Sequence, residues 1–370
     1  MKTFNELKND ALGVVKQFYW EIGVDLGSSN IVIYLKEKGL VVDEPSLVAR
    51  QKKKRWTGLS APKSDLPISM AFGVKAKEML NREPKQLEVV APIKNGIISD
   101  LGATETLVSH YLKIVNEIPS KYPKFLKPRV LAGVPSSVTE VQKRAIRSVF
   151  LSAGVGKVIL VEDAILAAIG AGLPVGSSAG LMIVDIGGGK TEATLVSLGG
   201  VVVGGGIKTG GEDLDLAILN FIKMKYGLLI GSNTAENIKI EVANLSVKSG
   251  ESQKTMVVRG RDLATGLPKT VKVNGGEIAE ALGLEVSKIV RLVKEVLDQT
   301  PPELMEDVLK RGIMLSGAGA NLKGIDRVIE EETKIVTKVV EDPGLGVAKG
   351  LGILIENQKY LDQVRLVLGD

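Results

Sequence analysis

The stretch IVDIGGGKTE at residues 183–192 decides the fold of this chain. Two apolar residues lead into Asp185, one more apolar residue follows, and three glycines come next. A strand that ends in an acid and a turn without Cβ atoms lets backbone N–H groups approach phosphate oxygens. The stretch therefore predicts an anion-binding turn, and it raises the question of what Lys190 does directly after the glycines.

The stretch IGVDLGSS at residues 22–29 repeats this pattern near the start of the chain, with Asp25 in the place of the aspartate. Each copy begins a strand–turn–strand hairpin in an α/β half. Two such halves facing each other would place two aspartates and two glycine turns around one cleft. A third turn, LSGAGAN at 315–321, favours a nucleotide cleft, although neither aspartate turn matches the Walker or dinucleotide fingerprint.

The two aspartates also predict a metal site. Asp25 and Asp185 supply hard carboxylate oxygens at the two turns. Such oxygens suit Mg²⁺, which keeps several water ligands and is held by few carboxylates together with phosphates. We therefore expect Mg²⁺ in the cleft, bound through water.

The composition argues against several other kinds of site. The chain has 370 residues, 44% hydrophobic and 25% charged, so it can bury large cores. It has no cysteine, which removes disulfides, thiol nucleophiles and cysteine zinc sites and suits a reducing compartment. The single histidine, His110, argues against a histidine metal cluster or a Ser-His-Asp triad, and its apolar neighbours indicate a structural role.

Charge and hydropathy bear on partners and location. The net charge of +5 is mild, and aromatic residues are not interleaved with the basic run at 52–55, so we expect no nucleic acid partner. No stretch of about 20 apolar residues occurs, and the N-terminus lacks a signal-peptide core, so we expect a cytoplasmic protein. In residues 1–19, Phe4, Leu7 and later apolar residues recur at helical spacing, which predicts an amphipathic helix on a membrane or on its own domain.

Alternating strand and helix signals fill the rest of the chain. A serine or threonine cap and a closing glycine predict a helix in 137–154, and the prolines at 301–302 break a long helical pattern. We expect strands in 21–35, 39–50, 129–135, 157–163, 180–206, 254–273, 313–316 and 334–342, and helices in 137–154, 164–174, 212–227, 234–245, 275–312 and 346–357.

In this order, the three turns resemble those of the actin-like ATPase superfamily, and within it the MreB family of bacterial actins. The resemblance covers roughly 20–357 and is carried by IGVDLGSSN, FGVKAKEMLNREP, APIKNGIISD, KPRVLAGVP, AAIGAGLPV, VDIGGGKTE, TAENIKIE and TPPELMEDVLKRGIMLSGAGANLKG. It implies an α/β, actin-like (ribonuclease H-like) fold of duplicated domains, with four subdomains around a central cleft that holds ATP or ADP. It also implies protofilaments along the inner membrane.

The same resemblance implies how the chain divides. After the helix at 1–19, we expect subdomain IA at 20–50, 91–177 and 343–370, IB at 51–90, IIA at 178–212 and 276–342, and IIB at 213–275.

Matching the motifs residue by residue implies the binding residues. The first phosphate turn supplies Asp25, Gly27, Ser28, Ser29 and Asn30, and the second supplies Asp185, Gly187, Gly188, Gly189 and Lys190. A further turn near the cleft supplies Gly210 and Gly211, the ribose and adenine side supplies Glu236, Asn237, Ile238 and Lys239, and the last loop supplies Gly317, Ala318, Gly319, Ala320 and Asn321. Ala318 stands where the family has glycine.

The resemblance implies a membrane contact as well. KFLKP at 124–128 resembles the hydrophobic membrane loop of the family, so Phe125 and Leu126 join Phe4 and Leu7 as candidates for insertion. The implied partners are other copies of the chain, the inner membrane surface and cell-wall elongation proteins, and the implied location is peripheral at the inner face of the cell membrane.

The chain departs from the family at two hydrolytic positions. Asp163 stands where the family has the glutamate that orients water, and Lys190 stands where it has a threonine of the second turn. Lys190 would stabilise bound ATP, stabilise the transition state, or pair with Asp163 and occupy its carboxylate. If Lys190 points away from the cleft, Thr191 or Glu162 would take over. We expect slow hydrolysis and assign Asp163, Lys190 and Thr191 as the catalytic candidates.

Three other functions share this fold. A non-polymerising adaptor of the pilus or division type fits the altered hydrolytic pair. A small-molecule kinase would need an added substrate domain, for which the matched segments leave no room. A heat-shock chaperone would need a peptide-binding domain beyond the end of this sequence.

Overall fold

Two five-stranded sheets of the same topology organise the molecule. The computed structural model describes residues 20–52, 69–118, 127–246, 254–357, 360, 361 and 364. In the first sheet the strands run in the order β3-β2-β1-β9-β10, and in the second they run β13-β12-β11-β17-β18. Each sheet therefore pairs an antiparallel three-stranded meander with two parallel strands, and the duplication predicted from the two aspartate motifs is visible in the topology.

The strands are, in chain order, β1 (Glu21–Leu26), β2 (Asn30–Leu35), β3 (Gly39–Pro45), β4 (Val48–Gln51), β5 (Ser69–Phe72), β6 (Leu87–Val90), β7 (Ile93–Lys94), β8 (Ile97–Ile98), β9 (Arg129–Val134), β10 (Lys157–Glu162), β11 (Leu181–Ile186), β12 (Thr191–Ser197), β13 (Gly200–Ile207), β14 (Leu228–Leu229), β15 (Thr255–Asp262), β16 (Pro268–Asn274), β17 (Ile313–Ser316) and β18 (Thr337–Val339).

The helices are α1 (Gly73–Met79), α2 (Leu101–Glu117), α3 (Glu140–Ser152), α4 (Asp163–Gly170), α5 (Gly211–Tyr226), α6 (Ser232–Glu241), α7 (Gly275–Asp298), α8 (Pro302–Arg311), α9 (Ile325–Thr333) and α10 (Gly346–Glu356), with 3₁₀ turns at Ala318–Asn321 and Pro343–Leu345. Two smaller sheets, β5-β4-β6 and β14-β15-β16, and the β7–β8 hairpin are the other sheets among the described residues.

The two aspartates occupy equivalent places in the two sheets. Asp25 in β1 faces Val32 of β2 in the antiparallel register, and Asp185 in β11 faces Glu192 of β12. Each aspartate is the second-last residue of the first strand of a β-hairpin, and the glycine turn follows that strand. The repeated motif therefore produces a repeated local structure, as its spacing predicts.

Helices α4 and α10 pack together in a core that also takes side chains from both large sheets. This core contains Leu131 and Val161 from the first sheet and Ile183 from the second. The helices come so close that a Cβ on Gly350 of α10 would overlap the carbonyl oxygen of Leu166 in α4. Because separate cores fill the outer part of each half, this shared core is where the two halves join.

Most predicted elements are confirmed. Thr139 caps α3, and its side chain and that of Gln142 form a reciprocal capping box. The prolines at 301–302 separate α7 from α8. His110 stacks on Phe72 with ring centroids 4.0 Å apart, which agrees with a structural role. Helices α1 and α2 and the β7–β8 hairpin were not anticipated.

The structure does not test several of the predictions made from the sequence. The helix expected at 1–19 with Phe4 and Leu7, and the loop residues Phe125 and Leu126, lie outside the described residues. The four subdomain boundaries remain predictions. In the described ranges, no helix combines the length and apolar character needed to cross a membrane.

Candidate functional site

A cavity of about 980 Å³ lies between the two halves. Its wall is formed by the ends of β1 and β11, the turns after them and residues of α1, α5 and α6. The predicted site residues that line it are Asp25, Gly27, Ser28, Ser29, Asn30, Asp163, Asp185, Gly187, Gly188, Gly189, Lys190, Gly211, Glu236, Lys239, Gly317, Ala318, Gly319 and Asn321. The structure thus brings together residues from all of the predicted turns.

The two aspartate turns contain the same backbone hydrogen bond. They contact each other at one end of the cavity, which we call its floor. The N–H of Gly27 donates to the Asn30 carbonyl at 3.0 Å, and the N–H of Gly187 donates to the Lys190 carbonyl at 2.9 Å. A Cβ on Gly188 would overlap the Ser29 hydroxyl. Only glycine allows the turns to approach this closely, so the backbone amides of both can face one ligand.

A third segment closes the floor. In the β7–β8 hairpin, the N–H of Gly96 donates to the Ser28 hydroxyl at 2.8 Å. A Cβ on Gly96 would lie 2.9 Å from Cδ of Lys190, so the hairpin turn covers the aliphatic part of that lysine. Asn95 and Gly96 both have positive φ, as a two-residue hairpin turn requires. The Asn-Gly dipeptide between Ile93-Lys94 and Ile97-Ile98 was the signal that could have predicted this hairpin.

Lys190 does not extend freely towards a ligand. Its ammonium lies 3.0 Å from Oδ2 of Asp163 and 2.5 Å from Oε2 of Glu192. The other Glu192 oxygen accepts the backbone N–H of Ser136 at 3.0 Å. Burial alone would lower the pKa of Lys190, but the carboxylates of Asp163 and Glu192 raise it above its ordinary value, so the side chain stays charged.

Carboxylates outnumber cations on the cavity floor. Burial raises the pKa of Asp25 well above its usual value, and the nearby charges of Asp163 and Asp185 raise it further. Burial likewise raises the pKa of Asp185 to about 6, although Lys190 acts in the opposite direction. A divalent cation beside these two aspartates would relieve that repulsion, so the residues fit Mg²⁺.

At this site the protein would supply only a few of the Mg²⁺ ligands. Over the described part of the chain, no three His, Cys, Asp or Glu residues are arranged to hold a metal by themselves. Mg²⁺ here would need water and ligand oxygens to complete its shell, which is its usual habit.

The far side of the cavity carries a second charged group. Lys239 donates to the Gly211 carbonyl at 2.9 Å and lies 2.8 Å from Oδ1 of Asp215. Glu236 lies 2.8 Å from the ammonium of Lys77, which belongs to the opposite half. These contacts hold polar side chains at the edge of the cavity where the sequence predicts the ribose and adenine.

Five predicted residues do not line the cavity: Thr191, Gly210, Asn237, Ile238 and Ala320. Thr191 is fully buried and its hydroxyl donates to the Thr209 carbonyl at 2.7 Å, so its position does not support a catalytic role. Ile238 and Ala320 are buried in the core of the second half. Asn237 is exposed on the outer side of α6. Gly210 packs on the carbonyls of the second turn, where a Cβ would lie 2.5 Å from the Gly188 oxygen.

A family model described as "MreB/Mbl protein" matches residues 19–363, almost the whole chain. The chain belongs to the MreB/Mbl family. The resemblance stated from the sequence motifs is therefore confirmed, and so is the actin-like α/β fold.

Members of the MreB/Mbl family with curated names are similar over nearly their full length. "Cell shape-determining protein Mbl" of Bacillus subtilis is 39% identical over 349 residues, which is 94% of this chain and 99% of the relative. "Cell shape-determining protein MreB" of Escherichia coli is 42% identical over 336 residues, which is 91% of this chain and 93% of the relative. The crystal structure of MreB5 of Spiroplasma citri bound to ADP has a TM-score of 0.83 at 32% identity and covers 95% of this chain and 99% of its own.

Within the MreB/Mbl fold, sequence reasoning missed Glu192. Lys190 directly precedes β12 and Glu192 is its second residue, and side chains two residues apart along an extended chain point to the same face. This two-residue spacing was the sequence signal that could have placed Glu192 beside Lys190. The prediction of an anion-binding turn used the glycines and the lysine, and it took no account of the strand residues after them.

Proposed function

We propose that this MreB/Mbl-family chain binds ATP and ADP with Mg²⁺ in its cleft and polymerises as a cytoskeletal protein that organises cell shape and cell-wall synthesis. Two relatives named cell shape-determining proteins support this role at about 40% identity. The Spiroplasma citri relative has been crystallised with ADP and with AMPPNP, which supports an adenine nucleotide as the ligand.

One observation carries the proposal: the two glycine turns face the same cavity at close contact. A Cβ on Gly188 would overlap the Ser29 hydroxyl, and the aspartate that precedes each turn lines the same cavity. In this proposal the backbone amides after Asp25 and after Asp185 bind the phosphates, and Mg²⁺ is held by these aspartates through water. The cation would neutralise phosphate charge when bound.

We infer that hydrolysis is slow. Asp163 is one methylene shorter than the family glutamate, so its carboxylate sits back by about 1.5 Å. A misplacement on the order of 1 Å can cost roughly 100-fold in rate. In addition, Oδ2 of Asp163 is engaged by Lys190 at 3.0 Å, so this oxygen is less available to orient water. Of the three roles considered for Lys190, pairing with Asp163 has this direct support.

Membrane association is proposed on the family resemblance. Phe4, Leu7, Phe125 and Leu126 are the candidates for insertion, and the proposed location is cytoplasmic, peripheral at the inner face of the cell membrane. Cell-wall elongation proteins are the proposed partners there, and other copies of the chain are the proposed partners in the filament.

The test combines binding, sedimentation and phosphate release. We would measure ATP binding by equilibrium dialysis, pelleting at high speed with ATP, and release of inorganic phosphate, for the wild type and for Lys190→Thr with Asp163→Glu. The wild type should bind and pellet with slow release, and the double variant should release phosphate faster.

Two other outcomes would change the conclusion. A wild type that releases phosphate as fast as the double variant would overturn the slow-hydrolysis proposal but leave binding and polymerisation intact. A wild type that binds ATP yet never pellets would favour the non-polymerising adaptor.

A further inference from the structure

Two polar contacts join the halves of the molecule at the side of the cavity away from the glycine turns. The ammonium of Lys77 in α1 lies 2.8 Å from Oε2 of Glu236 in α6. Next to this pair, the Asn81 side-chain amide, just after α1, donates to the Ser232 hydroxyl at the start of α6, with a separation of 3.3 Å. The partners are 159 and 151 residues apart in sequence, so both contacts link distant segments of the chain.

These contacts border the cavity itself. Lys77, Ser232 and Glu236 all line it. At the opposite side, the halves meet through Gly188 on Ser29 and through Lys190 on Asp163. The cavity is therefore bounded by cross-half contacts at both ends, one built from close backbone packing and buried charges, the other from partly exposed side chains.

We propose that Lys77 and Asn81 act as positioning residues that latch the halves together through Glu236 and Ser232, so that opening of this latch limits nucleotide release. The inference rests on the proposed function, since it takes an adenine nucleotide as the occupant. Lys77 contacts Glu236 and need not touch the nucleotide, so it acts on retention through its partner.

The solvent exposure of Lys77 and Glu236 determines how strongly their ion pair slows nucleotide release. The Lys77 and Glu236 side chains are 38% and 35% exposed. Solvent and salt screen ion pairs of this kind, so each is weak. Losing the Lys77 contact should therefore speed release roughly two- to fivefold and no more. A weak pair suits a latch, because it can open often without unfolding either half.

The experiment measures release of N-methylanthraniloyl-ADP, a fluorescent ADP, from the full chain in the presence of Mg²⁺ and excess unlabelled ADP. The variants are Lys77→Met and Asn81→Ala, at low and high salt. We expect faster release from both variants. The wild type should release faster at high salt, and this salt effect should be smaller in Lys77→Met. The matched control is Lys75→Met, an exposed lysine of α1 that does not line the cavity, which should leave the rate unchanged.

A charge exchange separates a latch from a general effect on folding or on the ligand. Glu236→Lys should speed release, because it places two cations together and removes a residue of the proposed site. Adding Lys77→Glu to that variant should slow release again, since the ion pair is re-formed with its ends exchanged. Equal melting temperatures of the single and double variants would exclude a folding explanation.

The outcomes distinguish this inference from the proposal beneath it. If the wild type binds no labelled ADP with Mg²⁺, the proposed nucleotide function fails, and the latch fails with it. If the wild type binds but Lys77→Met releases at the rate of Lys75→Met, or the charge exchange brings no recovery, the latch is wrong while nucleotide binding stands.

Discussion

The ammonium of Lys190 lies 3.0 Å from the Asp163 carboxylate and joins the two halves of the molecule at the floor of the cleft. Lys190 comes after the glycine turn that follows β11 of the second half, whereas Asp163 is the first residue of α4, directly after β10 of the first half. Glu192 shares the same ammonium at 2.5 Å. One cation therefore serves two nearly buried carboxylates, and its loss should affect both stability and chemistry.

The first prediction concerns that cation. Lys190→Met leaves Asp163 and Glu192 without their positive partner, and breaking a buried pair on one side costs about 3–5 kcal/mol. We expect a loss of this order in the free energy of unfolding of the nucleotide-free protein at neutral pH, measured by urea denaturation. The loss should shrink at low pH, because burial raises the pKa of Glu192 and its protonated carboxyl no longer needs the cation.

A surface pair supplies the matched control. Lys349 lies 2.8 Å from Asp342, and the two side chains are 31% and 63% exposed. Lys349→Met should change the free energy of unfolding by less than about 1 kcal/mol. If Lys190→Met and Lys349→Met lowered the free energy of unfolding equally, the buried carboxylates around Lys190 would not be what stabilises it.

The second prediction is a pH dependence set by Asp185. Burial raises its pKa to about 6 from a usual value of 3.8. The folded protein therefore binds more protons than the unfolded chain between these values, so the free energy of unfolding falls as pH rises from 3.8 to about 6. A shift of this size corresponds to roughly 2–3 kcal/mol at neutral pH.

Asp185→Asn removes this titration. In the nucleotide-free state at neutral pH, the variant should melt at a higher temperature than the wild type, and the two should converge near the usual aspartate pKa of 3.8. The same change should weaken binding of Mg²⁺-nucleotide, because the proposed water-mediated contact to the cation is removed. A lower melting temperature for Asp185→Asn at neutral pH would show that the carboxylate is stabilised by groups other than those described.

The third prediction tests the joint between the halves. A Cβ on Gly350 would overlap the Leu166 carbonyl, so Gly350→Ala must push α10 away from α4. Overpacking of this kind typically costs about 1–3 kcal/mol. In contrast, a Cβ on Gly283 in α7 meets nothing within 4 Å, so Gly283→Ala should stabilise the protein by about 0.5–1 kcal/mol. Urea denaturation of both variants should give shifts of opposite sign.

Local sequence signals predicted the parts of this fold that depend on neighbours in the chain. The two aspartate turns, the cap at Thr139 and the break at the prolines 301–302 each arise from a few adjacent residues. The cover of Lys190 by Gly96 and the pairing of Lys190 with Asp163 depend on segments far apart in the chain. Neither hydrophobic periodicity nor helix-capping residues in the sequence encode such contacts. Pairing with Asp163 was nevertheless one of the three roles considered for Lys190.

The residues assigned by motif alone show the same limit. Ile238 and Ala320 stand in matched stretches, but the helix or turn around each points its side chain into the core. A motif assigns a stretch to a site, whereas the backbone geometry decides which of its side chains reach the ligand.

The last prediction tests the contact between the two turns. Gly188→Ala places a methyl group on the Ser29 hydroxyl and 2.8 Å from the Ser29 Cβ. The hydroxyl can rotate away, but the contact with the Cβ remains, so the two turns must separate. An overpacking cost of about 1–3 kcal/mol corresponds to roughly 5- to 140-fold in affinity, so ATP binding should weaken by a factor in this range. Equilibrium dialysis at fixed Mg²⁺ measures this directly. Gly176→Ala is the control, because a Cβ there meets nothing within 4 Å and affinity should not change.

A compensating change makes the test specific to this pair of residues. Ser29→Gly removes both the hydroxyl and the Cβ that the new methyl would meet, so Gly188→Ala should weaken ATP binding less in the Ser29→Gly background than in the wild type. The single Ser29→Gly variant gives the reference affinity for a first turn without the hydroxyl. If the two losses of affinity simply add, the turns do not constrain each other, and the close approach of Gly188 to Ser29 is not what shapes the binding cleft.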